Sequence, residues 1–99
     1  MNKIPEKFNL MGFEITVERD PYLMSKKNAF GLCIPTENKI IIQEYVKGMG
    51  VSKAFLFQTF FHELGHMYMS VMNEPELYEN EKFIDILGSL MFQFNKSSK

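Results

Sequence analysis

The sequence predicts an α+β fold, with a small N-terminal mixed or antiparallel sheet of about three strands packed on two C-terminal helices. Three observations lead there. Residues 8–43 carry short β-branched runs broken by Gly, Pro and Asn, whereas residues 52–72 and 79–95 carry apolar side chains at helical spacing. The chain has 99 residues, 45% of them hydrophobic and 23% charged, which suffices for one core and leaves little room for a second. Residues 1–99 therefore read as a single domain.

The elements follow in order. Within Phe8 to Arg19, the stretch Phe13-Glu14-Ile15-Thr16-Val17-Glu18 alternates apolar and polar side chains at period two, until Asp20-Pro21 breaks it. Ala29-Phe30-Gly31-Leu32-Cys33-Ile34 and the β-branched run Lys39-Ile40-Ile41-Ile42-Gln43 flank the turn chemistry of Pro35-Thr36-Glu37-Asn38 and read as a hairpin. Gly48-Met49-Gly50 separates this half from the helices. Ser52 is the expected N-cap of a helix running to about Met72. On a helical wheel, Phe57, Phe60, Phe61, Leu64, Met67, Tyr68, Val71 and Met72 take one side. Thr59, His62, Glu63, His66, Ser70 and Asn73 take the other. Phe55 and Met69 fall among the polar residues, so that face is expected to be partly covered, as a cleft would be.

Asn73-Glu74-Pro75-Glu76 should end the first helix, and a second is expected from about Glu79 to Asn95. It carries three stripes. Phe83, Ile86, Leu87, Leu90, Met91 and Phe94 form the apolar one, and Lys82, Ser89 and Gln93 are expected to face solvent. Glu81, Asp85, Gly88 and Phe92 form the third. A glycine inside a helix costs about 1 kcal/mol relative to alanine, and close approach of another element is a usual reason to keep Gly88.

Composition narrows the function. The formal charge is −1, so no global basic field favours nucleic acid. The N-terminus lacks the apolar core of a signal peptide, and the longest apolar runs fall far short of the roughly 20 residues that span a bilayer. Cys33 is the single cysteine and points to a reducing compartment. The expectation is a soluble cytoplasmic protein with no nucleic-acid or membrane partner. The charge balance is uneven: residues 1–53 hold eight Lys/Arg and six acids, whereas residues 54–95 hold six acids against Lys82 alone; Glu74, Glu76 and Glu79 read as a solvated loop, while Glu63 and Asp85 lie inside apolar-patterned segments and need another reason.

His62-Glu63-Leu64-Gly65-His66 supplies one. Residues i and i+4 project from the same helix face, so both imidazoles reach one tetrahedral metal ion at about 2.0 Å. Glu63 points beside that ion, where it would take a proton from bound water. Random placement of the chain's residues produces this pattern with odds of about 0.2%. The donor set suits Zn²⁺. A catalytic zinc needs a third protein ligand, and both histidines are already used. Glu81 is the first candidate. Asn80-Glu81-Lys82-Phe83-Ile84-Asp85 reads N-E-x-x-x-D, with both acids on one helical face. Asp85 would accept the outer N–H of a ligating histidine and fix its ring. The plainer reading of Glu81 is an acid favoured by the dipole of a helix N-terminus. Cys33 is the rival ligand, as a thiolate completing a Cys-His-His site of the peptide deformylase type, although its apolar surroundings suit a small buried hydrophobe.

H-E-L-G-H followed by N-E-x-x-x-D on the next helix resembles the gluzincin metallopeptidases, and the short chain is similar to their smallest members, the minigluzincins and the ImmA/IrrE-type peptidases of phages and mobile elements. The likeness spans most of residues 8–94 and is specific at the two motifs. It implies a minimal zincin-like fold, with His62, His66 and Glu81 as zinc ligands, Glu63 as general base and Asp85 behind a ligating histidine. It also implies an edge strand, within Ala29 to Pro35 or Lys39 to Gln43, that holds a protein or peptide substrate as an added strand; a repressor is the kind of substrate the family suggests. The chain departs from the family in having only 14 residues between His66 and Glu81, and no further histidine for the oxyanion. Tyr22, Tyr45, Tyr68 and Tyr78 are the tyrosines available for that role, with Arg19 and the lysines beside them. The competing reading is a catalytically inactive metal-binding or interaction module of prophage origin on the same fold.

Overall fold

In a computed structural model, which describes residues 3–98, four strands form where about three are expected. The additional one is β1 (Lys7–Leu10), which pairs antiparallel with β2 (Phe13–Asp20) across the two-residue turn Met11-Gly12. Both turn residues have positive φ, 48° and 85°. That geometry matches the right-handed twist of a tight hairpin but is usually marked by Asn-Gly or Asp-Gly. Along β2, Ile15 and Val17 point into the core while Glu14, Thr16 and Glu18 face out, as the alternation predicts.

A five-residue helix α1 (Leu23–Lys27) follows, in a segment for which no element is expected. It is held by the buried Gln43, whose Oε1 accepts from the Met24 backbone at 2.7 Å while its Nε2 donates to the Pro21 carbonyl at 2.7 Å. The predicted hairpin then forms. β3 (Gly31–Ile34) and β4 (Lys39–Gln43) pair antiparallel, from Gly31 opposite Ile42 to Ile34 opposite Lys39. A single 3₁₀ turn, Pro35–Glu37, joins them and ends on Asn38 in the left-handed region.

β4 also runs parallel to β2, so the sheet order is β1-β2-β4-β3 and the sheet is mixed. Lys39 to Gln43 is therefore an interior strand, which removes one of the two stretches expected to be the edge. β3 lies at one edge and β1 at the other.

α2 (Lys53–Val71) lies across the sheet. Ile15, Val17, Ile40 and Ile42 meet Leu56, Phe60, Phe61, Leu64 and Met67 in one buried cluster. Each such side chain contributes about 1.5–3 kcal/mol by leaving water. The helix starts where expected, because the Ser52 hydroxyl accepts from the Phe55 backbone at 3.0 Å. Asn73, at φ 57°, turns the chain away, and Pro75 opens a single helical turn, α3 (Pro75–Tyr78). α4 (Glu81–Ser97) begins two residues later than expected, at the cap where Asn80 Oδ1 accepts from the Phe83 backbone at 3.0 Å.

α4 is rotated relative to its apolar pattern. Its buried positions are Ile84 and Gly88, and the predicted apolar stripe divides: Phe83, Leu87 and Met91 are half-buried, whereas Ile86 is 53%, Leu90 64% and Phe94 73% exposed. Gly88 accounts for the rotation. A Cβ there would lie 2.9 Å from His62 Cα, so α4 touches the backbone of α2 at that point. Ile84 and Leu87 pack over Gly65 beside it, at distances a Cβ on Gly65 would accept as ordinary contact. Among the described residues, no helix is long and apolar enough to cross a membrane.

Candidate metal centre

The rotation of α4 turns its third stripe toward His62 and His66. The two histidines, one turn apart on α2, face Glu81 in the first turn of α4. His62 Nε2 lies 3.2 Å from Glu81 Oε1, and His66 Nε2 lies 3.2 Å from Glu81 Oε2. One donor atom from each of the three residues falls within 4.8 Å of the others. Ligands about 2.0 Å from a tetrahedral ion lie about 3.3 Å apart, close to the two His–Glu81 separations, and N, N, O is a donor set that zinc accepts.

The two rings are held differently. His62 Nδ1 lies 2.8 Å from Asp85 Oδ1, one turn beyond Glu81 on the same face of α4. That hydrogen bond sets the ring so that Nε2 is the atom presented to Glu81. His66 is buried, and its Nδ1 has no partner among the described residues. Packing positions it instead, with the Tyr78 ring 4.8 Å away, centroid to centroid.

Glu63 sits under the edge strand. A Cβ on Gly31 would lie 3.0 Å from Glu63 Cγ and 2.8 Å from Thr59 Cγ2, so β3 crosses directly over the polar face of α2. This is the cover anticipated from Phe55 and Met69. Met69 is buried, and the Phe55 ring meets Phe30, just before β3, edge to face at 5.3 Å. Burial pushes the Glu63 carboxyl up to about 7; the neighbouring His62 opposes that rise and the charge of Glu81 adds to it. A carboxyl held near neutrality is suited to taking and returning a proton at physiological pH.

Cys33 stands apart from the donor group. Burial pushes its thiol up to about 12; the neighbouring Tyr78 offsets part of that rise and Glu63 adds to it. The donor atoms that lie within 4.8 Å of one another come from His62, His66 and Glu81, without Cys33. Of the four tyrosines, Tyr78 is the one brought against a candidate ligand. Its own hydroxyl is held well above the ordinary tyrosine value, by burial first and then by Cys33 and Glu63. The sequence does not single it out, because its place depends on the one-turn helix that Pro75 starts.

All five residues expected at the site, His62, Glu63, His66, Glu81 and Asp85, thus converge at the meeting of β3, α2 and α4, and Tyr78 joins them from α3. Compared with protein-family models, curated proteins and solved structures, the chain matches none of them.

Proposed function

We propose that this protein is a zinc-dependent peptidase of gluzincin type, hydrolysing peptide bonds in a protein substrate. The observation that carries the reading is the juxtaposition of Nε2 of His62 and of His66 with the two oxygens of Glu81, beside a buried carboxyl on Glu63. His62, His66 and Glu81 would hold the ion. Zinc bound there supplies a Lewis acid that polarises a carbonyl and lowers the pKa of a bound water to about 7.

The chain's own residues divide the remaining work. Glu63, buried beside the two histidines, would accept the proton of the attacking water and return it to the leaving amine nitrogen. Asp85 keeps the His62 ring in place. Tyr78, its ring 4.8 Å from that of His66, is the tyrosine placed to turn its hydroxyl toward the developing oxyanion. The free side of β3 offers backbone groups to an extended substrate, which would lie over Glu63 as an added strand.

The test is cleavage of an unfolded protein such as reduced, alkylated casein by the zinc-loaded chain. The expected result is cleavage that Glu63→Gln lowers about 10³-fold with zinc content unchanged. Cleavage that survives Glu63→Gln would sink the mechanism. A zinc-loaded wild type that cuts nothing in a panel of unfolded proteins would favour the inactive metal-binding module instead.

A further inference from the structure

We infer that the face of α2 turned away from His62 carries a second site, which binds a long-chain fatty acid with its carboxylate among Lys3, Arg19 and Lys53 and its hydrocarbon tail along Phe57, Phe60 and Leu64. Leu64 stands about 160° round α2 from His62, and the site shares no residue with the metal centre. Two adjoining hollows form it. The first, of about 230 Å³, lies where the end of β2 meets the start of α2, with Lys3, Arg19, Glu44, Tyr45 and Lys53 in its walls. The second, of about 170 Å³, follows α2 past Phe57, Phe60 and Leu64 to Tyr68. Lys3 and Phe57 line both, so one ligand can cross from the first into the second. Along α2 the distance from Lys53 to Tyr68 is about 22 Å, more than the roughly 15 Å that an acyl chain spans in half of a bilayer core.

The first hollow holds positive charge that the chain itself does not cancel. Arg19 Nη2 donates to the Ile4 carbonyl at 2.6 Å, and Lys53 Nζ sits 5.3 Å over the Tyr45 ring. Both partners are neutral, so they fix where the two cations stand without neutralising them. Among the described residues, no carboxylate lies within 4.0 Å of the charged nitrogens of Lys3, Arg19 or Lys53. Glu44 is the one acid in the wall, against three cations, and the balance favours an anion.

The second hollow shows what else that anion carries. Apart from Lys3, the polar side chains in its wall are Tyr68 and Asn95, and the rest is Pro5 with aromatic and leucine surface. An extended peptide laid there would bury backbone N–H and C=O groups with almost nothing to pair them. A helix pairs its own backbone but is about 10 Å across, too wide for a trough of about 170 Å³. An acyl tail needs no hydrogen bonds and gains with each methylene that leaves water.

Isothermal titration calorimetry of the full chain with monomeric dodecanoate at about pH 8 tests this. One molecule per chain is expected, with affinity rising about fourfold for each methylene from octanoate to dodecanoate. Dodecan-1-ol, which lacks the charge, should bind about 10-fold more weakly or worse. Arg19→Gln and Lys53→Gln should each weaken dodecanoate binding about 5-fold or more with circular dichroism unchanged, whereas Lys82→Gln, on α4, should not. If Arg19→Gln loses structure, Lys53→Gln decides alone. The proposal is overturned if dodecanoate does not bind, or binds no better than octanoate or dodecan-1-ol. It is equally overturned if a folded Lys53→Gln binds as well as wild type, if Lys82→Gln weakens binding as much, or if the chain takes anionic phospholipid vesicles and not the free acid.

Discussion

α2 and α4 are both amphipathic, yet the first buries nine residues and the second only two. α2 lies between the sheet and α4, with β3 crossing its polar face, so almost its whole circumference is covered. α4 meets its neighbours on one narrow side. The difference shows that an apolar stripe records a demand for cover without saying which element supplies it. In α4 the close contact at Gly88 sets a rotation that faces Glu81 and Asp85 toward the histidines and leaves Ile86, Leu90 and Phe94 outside.

The sharpest way to break this comparison is a pair of isoleucines two residues apart. Ile84 is fully buried and Ile86 is 53% exposed. Ile84→Ala should cost about 3 kcal/mol in urea unfolding, and Ile86→Ala about 0.5 kcal/mol or less in dilute protein. Equal costs would show that α4 does not bury Ile84 in preference to Ile86.

Glu63 provides an effect on the order of 3 kcal/mol that depends on pH. Its folded pKa, about 7, lies above the value of 4.5 it takes when unfolded, so the native state holds the proton more tightly. The stability of the metal-free protein should therefore fall as pH rises from 4.5 to 7 and be lowest, as far as this group is concerned, above 7. Glu63→Gln removes that slope. Urea midpoints of the two proteins compared at pH 5 and pH 8 should diverge, the variant being the more stable at the higher pH.

Two glycines at the same helix contact give opposite, smaller effects. Gly88→Ala places a methyl 2.9 Å from backbone and should cost about 2 kcal/mol, with weaker zinc binding as Asp85 moves from His62. Gly65→Ala meets its nearest neighbours at 3.6 Å and should gain about 0.5–1 kcal/mol from helix propensity. Smaller differences are expected at the caps, where Asn80→Ala should cost about 1 kcal/mol and fray the turn that carries Glu81.

The parts of the molecule that the sequence made legible are those governed by local periodicity. His62 and His66 share a face because i and i+4 always do, and Glu81 and Asp85 share one for the same reason. The Pro35–Asn38 turn carries residues that announce a hairpin. β1 was missed because its turn places methionine where asparagine is usual. α1 was missed because its anchor, Gln43, lies nineteen residues downstream of Met24. Whether residues 31–34 or 39–43 form the edge was undetermined, since strand order depends on long-range pairing between β2 and β4. The rotation of α4 rests on one backbone contact at Gly88, whose partner no helical wheel identifies.

The central claim is that His62, His66 and Glu81 form one metal centre. Zinc stoichiometry of the purified, zinc-reconstituted chain tests it most directly. About one zinc per chain is expected, lost in His62→Ala and in Glu81→Ala, and retained in Glu63→Gln and in Cys33→Ala. Zinc that persists at full occupancy in Glu81→Ala and disappears in Cys33→Ala would contradict it.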